Sequence, residues 1–176
     1  MKRQDISENQ AKIVYLGIGS NLGDRKKNIE IAKSHLSENN LDFLSISSFY
    51  ETPSWPDPKK PKFLNVVIKA KFCFDPESLL KICKKIEILL GRKKGKKNDP
   101  RICDIDIIDF NGRIIEKKIG YNKISVPHER MYNRNFVLLP LFEINKDWFH
   151  PKLCKNIVFL LSNLTSEQLL GIKIIQ

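Results

Sequence analysis

The stretch FLNVVIKAKFCFDPESLLKICKKIEILLG, residues 63–91, indicates a strand and a helix more clearly than any other part of the chain. Its first part, residues 63–74, is mostly apolar and predicts a long strand. Asp75 then stands where a helix N-cap is expected, Pro76 takes the first helical position, and Gly91 marks the end of the helix. One apolar stripe predicts the buried face of this helix: Leu79, Ile82, Cys83, Ile86 and Leu89.

Further strands and helices are predicted on both sides of this segment. Upstream we predict a strand, a helix capped by Asp24, a second strand and a four-proline loop, over residues 13–19, 24–36, 41–50 and 52–63. Downstream we predict a strand that turns at Asn111-Gly112 into a hairpin, then two short helices, over residues 102–110, 113–116, 135–144 and 157–164. The order of the first six elements predicts an α+β fold. It is a ferredoxin-like split βαβ core with a largely antiparallel sheet flanked by helices.

Length and composition fit a single globular domain. The chain has 176 residues, and its 31 basic and 20 acidic side chains give a formal charge of +11. We expect a disordered tail over residues 1–10 and one domain over residues 11–176. No apolar run approaches the roughly 18 residues of a membrane-spanning helix, and the polar N-terminus has no signal-peptide core. The four cysteines form no Cys-x-x-Cys pair, so we expect reduced thiols, no zinc site and a cytoplasmic location.

The turn after the first strand has the glycines of a dinucleotide-binding motif but not its spacing. Gly17, Gly19 and Gly23 lie between a predicted strand and a predicted helix, yet the third glycine comes one residue late for G-x-G-x-x-G. A Walker A loop is also missing. Residues 19–23 therefore predict a tight turn, and the sequence leaves open whether this turn also borders a ligand.

An aspartate pair carries the strongest chemical signal. In PRICDIDII, residues 100–108, Asp104 and Asp106 alternate with Ile105 and Ile107, so both carboxylates project from one face of a strand. Two carboxylates side by side repel each other unless a cation lies between them, and Mg²⁺ commonly binds one or two carboxylates together with substrate phosphates. The alternative for such a pair is a solvated strand face.

Basic residues beside this pair favour phosphoryl transfer. Five of the six residues from Arg92 to Lys97 are basic, and Arg101 lies three residues before Asp104. Carboxylates for a metal and cations for phosphate are what phosphoryl transfer requires, because its catalysis depends on positioning and charge neutralisation. The rival interpretation is a small nucleic-acid-binding domain. However, paired aspartates would repel a phosphate backbone, and the aromatic-glycine RNP pattern is missing.

Four further residues suit a pocket for a flat ring and a phosphate. Phe63 and Phe136 offer aromatic faces, and Asn65 could read the polar edge of a ring held between them. His128 could place an imidazole near phosphate. The alternative for each of these residues is a structural role in the core.

Together, these segments resemble the 6-hydroxymethyl-7,8-dihydropterin pyrophosphokinase family of folate biosynthesis. The matching segments occur in family order over residues 13–145. They are GSNLG (19–23), SFYETP (48–53), FLN (63–65), Glu87 with Gly91-Arg92, PRICDIDI (100–107), VPH (126–128) and NRNF (133–136). The resemblance implies that the β,γ-diphosphate of ATP is transferred to the hydroxymethyl group of the pterin, which releases AMP.

The resemblance also implies roles for individual residues. Asp104 and Asp106 would hold two Mg²⁺ ions. Three catalytic residues would offset charge on the transferring diphosphate, namely Arg92, Arg101 and His128. The pterin would contact Thr52, Pro53, Phe63, Asn65 and Phe136. The nucleotide would contact Glu87, Lys94, Ile107, Ser125 and Arg134. The expected partners are therefore ATP and the pterin, with no nucleic acid and no membrane, and other folate-pathway enzymes are candidate partners.

Overall fold

A six-stranded antiparallel sheet forms the centre of the structure. The computed structural model describes residues 10–55, 57–92, 99–120 and 122–175. In chain order the elements are β1 (Lys12–Ser20), α1 (Arg25–Glu38), β2 (Asp42–Ile46), β3 (Phe49–Thr52), β4 (Phe63–Phe72), α2 (Pro76–Leu89), β5 (Asp104–Phe110), β6 (Ile115–Ile119), β7 (Asn122–Val126), a 3-10 helix (Met131–Asn133), α3 (Asn135–Ile144), β8 (Phe149–His150), β9 (Lys155–Asn156), α4 (Ile157–Ser162), α5 (Ser166–Leu169) and β10 (Lys173–Ile175). Across the sheet the order is β10-β3-β4-β1-β5, and β2 also pairs with β4.

This arrangement confirms the predicted α+β fold. The split βαβ order appears as β1, α1, the pair β2 and β3, β4, α2 and β5, and β1 lies between β4 and β5. Helices cover both faces of the sheet. Side chains of α1 and α2 pack in the core on one face, and side chains of α3 and α4 pack in the core on the other. Alternate residues of β1 enter the two cores, as the period of a strand requires.

Helix α2 begins and ends where its sequence predicts. The Asp75 side chain accepts hydrogen bonds from the backbone N–H groups of Glu77 and Ser78, at 2.8 and 2.9 Å. These bonds satisfy donors that have no partner inside the helix. At the other end Gly91 has φ +93°, a left-handed conformation that glycine adopts without a steric penalty.

The predicted second strand, residues 41–50, is split in two at Ser47. The Ser47 hydroxyl accepts a hydrogen bond from the Val67 backbone N–H (3.0 Å), and the Ser47 N–H donates to the Val67 carbonyl (2.9 Å). A side-chain oxygen thus takes the place of a backbone carbonyl. This interrupts the pairing with β4 at the point between β2 and β3.

The predicted hairpin at Asn111-Gly112 is wrong in its pairing. Both residues adopt positive φ and form a turn, but β6 then pairs with β7 instead of β5. Asn111 is tied back to β1, because its N–H donates to the Ile13 carbonyl (2.6 Å) and its side chain accepts from the Ile13 N–H (3.2 Å). These contacts extend the β1–β5 pairing through the turn residue.

The C-terminal third contains both predicted helices and several elements that were not predicted. Helix α3 occupies residues 135–144 as expected, whereas α4 ends at Ser162, two residues before the predicted end. The hairpin β8–β9, helix α5 and strand β10 were not predicted. Most of the predicted tail, together with Lys94, lies outside the described residues. In the part of the chain that the structure describes, no helix is long and apolar enough to cross a membrane.

Candidate active site

A cavity of about 370 Å³ opens where β1 ends and β4 and β5 begin. It lies on the side of the sheet where α3 starts. Eleven of the fifteen predicted site residues line it: Thr52, Pro53, Phe63, Asn65, Arg92, Arg101, Asp104, Asp106, His128, Arg134 and Phe136. The structure thus brings together residues that lie up to 84 positions apart in the chain.

Two glycines of β1 form the floor of this cavity. Gly17 pairs with Asp106 and Gly19 with Asp104 across the β1–β5 ladder. A Cβ atom on Gly19 would lie 3.0 Å from the Asn65 side-chain oxygen and 3.4 Å from the Phe63 ring. Glycine is therefore required here because the two side chains lie directly over the strand. Gly19, the first residue of the glycine-rich turn, therefore borders the cavity, and contact of this turn with a ligand stays a prediction.

Asp104 is held in ion pairs with two arginines. Arg92 Nη1 lies 2.6 Å from Asp104 Oδ1, and Arg101 Nη1 lies 3.4 Å from Oδ2. Burial raises the pKa of the Asp104 carboxyl, but the charges of Arg101 and Arg92 outweigh burial and bring this pKa below its usual value. Asp104 is therefore a carboxylate at neutral pH.

Asp106 is the more open carboxylate of the pair. Its side chain is 37% exposed, against 21% for Asp104. Arg134 Nη1 and His128 Nε2 lie 3.7 and 3.8 Å from its Oδ2 atom. Burial lowers the pKa of His128, although the charge of Asp106 opposes this shift. A neutral imidazole and a guanidinium therefore face the more accessible acid.

Glu87 lies behind the cavity wall and holds it in place. Its side chain is 1% exposed. It accepts hydrogen bonds from the Ile105 backbone N–H (2.8 Å) and from Lys84, and it lies 2.7 Å from Arg92 Nη1. Burial raises the pKa of Glu87, while the charge of Lys84 opposes this shift. The carboxyl thus anchors both Arg92 and the beginning of β5, and a contact of Glu87 with nucleotide stays a prediction.

The opposite end of the cavity carries the two aromatic rings. The Asn65 side chain donates to the Thr52 hydroxyl at 3.0 Å and is 7% exposed, so its orientation is fixed. The guanidinium of Arg101 lies 5.8 Å from the centre of the Phe63 ring, and that of Arg134 lies 5.3 Å from the centre of the Phe136 ring. Each ring therefore packs beside a cation that also approaches an aspartate.

A second cavity of about 250 Å³ adjoins the first. Ile107 and Ser125, both predicted to contact the nucleotide, line this second cavity. Four residues line both cavities: Lys84, Asp106, His128 and Arg130. An elongated ligand could therefore extend from one cavity to the other past this polar group.

The chemistry of the donors fits magnesium bound together with a phosphate ligand. Asp104 and Asp106 project from the same face of β5 into the cavity. Among the described residues, no group of three or more histidine, cysteine or acidic side chains could hold a metal ion. Mg²⁺ is commonly bound by one or two carboxylates, with the remaining positions taken by water and substrate phosphates. Two aspartates in a cavity rich in cations meet that requirement.

Sequence reasoning missed several lining residues. Lys84 and Arg130 line both cavities, and Trp55 lines the larger one. Lys84 lies one helical turn before Glu87, a spacing that could have indicated a shared face. Arg130 lies two residues after His128, which could have directed attention to it. Trp55 lies in the proline-rich loop, where no periodic pattern predicts orientation.

Comparisons with known proteins find relatives over most of the chain. A model of the family described as 7,8-dihydro-6-hydroxymethylpterin-pyrophosphokinase matches residues 15–146. The 2-amino-4-hydroxy-6-hydroxymethyldihydropteridine pyrophosphokinase of Aquifex aeolicus is 41% identical over 138 residues, which are 78% of this chain and 83% of that protein. The Bacillus subtilis protein of the same name is 38% identical over 133 residues, 75% of this chain and 77% of its own.

Longer relatives contain a similar region. The folic acid synthesis protein FOL1 of Dictyostelium discoideum is 38% identical over 152 residues, 86% of this chain but only 22% of that protein. A crystal structure of Plasmodium falciparum HPPK-DHPS superimposes with a TM-score of 0.70 at 19% identity, covering 88% of this chain and 45% of the other, which shows the fold. The chain thus spans less than half the length of these two proteins. These comparisons do not support the nucleic-acid-binding alternative.

Proposed function

This chain belongs to the 7,8-dihydro-6-hydroxymethylpterin-pyrophosphokinase family, and we propose that it transfers the β,γ-diphosphate of ATP to 6-hydroxymethyl-7,8-dihydropterin. In this reaction the hydroxymethyl oxygen bonds to the β-phosphorus, the bond from that phosphorus to the α-phosphate oxygen breaks, and AMP leaves. The observation that carries the proposal is the aspartate pair between an aromatic pocket and a group of cations. The single domain over residues 11–176, the cytoplasmic location and any association with other folate-pathway enzymes stay predictions.

The two cavities suggest how the substrates are divided. The pterin ring is flat and polar at its edges, which suits the space between Phe63 and Phe136 beside Asn65. The adenine end of ATP suits the second cavity, where Ile105, Ile107 and Ile124 provide apolar contact. The triphosphate would then pass the residues that line both cavities, and its β-phosphorus would lie near the hydroxymethyl group.

The cations around the aspartates suit the charge of a transferring diphosphate. Five cationic side chains and two aspartates line the larger cavity: Lys84, Arg92, Arg101, Arg130 and Arg134, with Asp104 and Asp106. When bound, Mg²⁺ would neutralise phosphate charge and orient the reacting groups. Asp104 and Asp106 are the residues that would hold it. Arg92 and Arg101 lie close enough to contact the same phosphate oxygens, and Glu87 keeps Arg92 in position.

The test is a turnover assay that separates AMP from ADP. The protein is incubated with Mg²⁺, ATP and 6-hydroxymethyl-7,8-dihydropterin, and a parallel sample carries Asp106→Asn. This variant removes the negative charge and retains the shape of the side chain, whose charged neighbours His128 and Arg134 lie 3.8 and 3.7 Å away. We expect pterin-dependent AMP from the wild type and a loss of at least about a hundredfold in the variant, comparable to removal of one stabilising group in other enzymes. ADP as the product, or no product from folded wild-type protein, would contradict the proposal.

A further inference from the structure

Helix α5 contacts the site turn, residues 133–136, which carries two of the predicted site residues. The Gln168 side-chain nitrogen donates a hydrogen bond to the Asn133 carbonyl at 3.1 Å. The Asn135 side-chain nitrogen in turn donates to the backbone carbonyl of Gln168. Arg134, which lies between these two asparagines, and Phe136, which follows them, both line the larger cavity. The family match ends at residue 146, so Gln168 lies beyond the part of the chain that it covers.

The capping box of α5 fixes which way the Gln168 amide faces. Its oxygen accepts a hydrogen bond from the Thr165 N–H (2.8 Å), while the Thr165 hydroxyl accepts from the Gln168 N–H (3.3 Å). Only the amide nitrogen is then left to donate to the Asn133 carbonyl. The glutamine therefore bonds α5 and the site turn at the same time, and reversing its amide would break both contacts.

The site turn lacks a side-chain cap at the start of α3. Arg134 is the N-cap residue of this helix, and its side chain makes no capping hydrogen bond. The Asn135 side-chain oxygen accepts from the Phe136 N–H at 2.5 Å, while its nitrogen donates to the Gln168 backbone carbonyl. The contact with α5 therefore orients the Asn135 side chain and, through it, the N–H of Phe136.

The same C-terminal segment also contacts a second part of the cavity lining. Strand β10 pairs with β3, whose last residue, Thr52, lines the cavity. Gly171 has φ +76°, and a Cβ atom there would lie 3.1 Å from the Pro53 ring. Residues 165–175 therefore lie against both the Thr52–Pro53 and the Arg134–Phe136 parts of the lining.

We propose that residues 165–175 brace the pterin end of the site and that Gln168 is a positioning residue which holds the Arg134–Phe136 turn in its binding arrangement. The inference rests on the proposed function, because it assigns the pterin to the space beside Phe136. Gln168 touches no reacting group. Its side chain acts on the substrate site through the Asn133 carbonyl, and the contact of Asn135 with the Gln168 backbone carbonyl strengthens the same connection.

The experiment compares Gln168→Ala and Gln168→Glu with a matched control, Glu167→Ala. Glutamate keeps an acceptor for the Thr165 N–H but cannot donate to the Asn133 carbonyl, so it separates capping of α5 from bracing of the turn. Glu167 is an exposed neighbour on the same helix. We expect both Gln168 variants to raise the KM and the Kd for the pterin by about five- to tenfold, as for the loss of one hydrogen bond. We expect the control to change neither.

A second readout follows the turn itself without substrate. Hydrogen–deuterium exchange of peptides covering residues 131–137 should speed up in both Gln168 variants and stay at the wild-type rate in the control. A folded Gln168→Ala protein with unchanged pterin binding and unchanged exchange would overturn the bracing role. Faster exchange in the Gln168 variants would support the brace even if the wild-type protein neither binds the pterin nor releases AMP. In that case the wild-type result would contradict the proposed function alone. Equal effects of Gln168→Ala and the control would also overturn the inference.

Discussion

Asn21 ties two loops of the site to the glycine-rich turn, and its replacement by alanine tests this connection. The side chain is 3% exposed. Its oxygen accepts a hydrogen bond from the Arg101 backbone N–H at 2.7 Å, and its nitrogen donates to the Pro61 carbonyl at 3.1 Å. A third contact, to the Ser54 hydroxyl, is 3.4 Å long and therefore weak. We predict that Asn21→Ala destabilises the protein and impairs turnover together.

The size of the effect follows from which partners are left without a bond. The Pro61 carbonyl keeps a hydrogen bond from the Ser54 hydroxyl at 2.6 Å, so losing Asn21 costs it about 0.5–1 kcal/mol. Among the described residues no second acceptor is seen for the partly buried Arg101 N–H, and leaving such a donor unsatisfied costs about 1–3 kcal/mol. We therefore expect the free energy of unfolding to fall by about 1.5–4 kcal/mol. Because Arg101 is displaced, kcat should fall as well.

The assay is urea unfolding followed by tryptophan fluorescence, with Asn163→Ala as the control. Trp148 is 4% exposed and reports on the core under α4. Asn163 is an exposed asparagine whose side chain donates one hydrogen bond, to the Phe159 carbonyl at 2.7 Å. Its loss should cost less than about 1 kcal/mol. An Asn21→Ala protein within about 0.5 kcal/mol of this control would refute the argument from the unsatisfied N–H.

Three further changes test other parts of the structure. Gly19→Ala should weaken pterin binding at least about tenfold, because the new methyl group would lie 3.0 Å from the Asn65 side chain; unchanged binding by fluorescence titration would contradict the close approach. Burial lowers the pKa of His150, whose Nδ1 accepts a backbone hydrogen bond, so the neutral form stabilises the fold. This stability is present above pH 6.5 and should fall below it by up to about 1.4 kcal/mol per pH unit. In urea titrations His150→Gln should lower that slope, and an unchanged slope would contradict this role of His150. Asp75→Ala removes the N-cap of α2 and should cost about 1 kcal/mol of stability, and an unchanged melting temperature would count against the cap.

Elements set by neighbouring residues could be predicted, and those set by distant partners could not. Helix α2 follows from its own cap, Gly91 and an apolar stripe, all within one segment, although Leu89 of that predicted stripe is exposed. The break between β2 and β3 depends on Val67, which lies 20 residues from Ser47. The turn at Asn111 follows local rules, but its contact with Ile13, 98 residues away, redirects the chain. Residue types therefore predicted the turn and not the pairing of the strands that it connects.

The site was predictable to the extent that its residues carry chemistry. The alternation of Asp104 and Asp106 implies a shared face, and both do line the cavity. The same reasoning could not find Gln168, because a glutamine in a short helix gives no sign of what it contacts. Asn21 lies in the glycine-rich turn, but its role emerges only from bonds to loops 40 and 80 residues away. Supporting residues such as these act through hydrogen bonds to residues that are distant in the chain, and a sequence pattern does not show such contacts.

Arg92 links Glu87, which lies behind the cavity wall, to Asp104, which lines the cavity, and this arrangement bears on how phosphate could bind. The same Nη1 atom lies 2.6 Å from Asp104 and 2.7 Å from Glu87. Glu87 is also bonded to Lys84 and to the Ile105 N–H, and neither bond involves Arg92. The position of Glu87 in the cavity wall therefore does not depend on the contact between Arg92 and Asp104. A guanidinium has five donors, and Arg92 can therefore stay on Glu87 while it exchanges Asp104 for a phosphate oxygen. The exchange would leave the Asp104 carboxylate available to a cation when the anionic substrate binds. The cation and the substrate should therefore each strengthen the binding of the other.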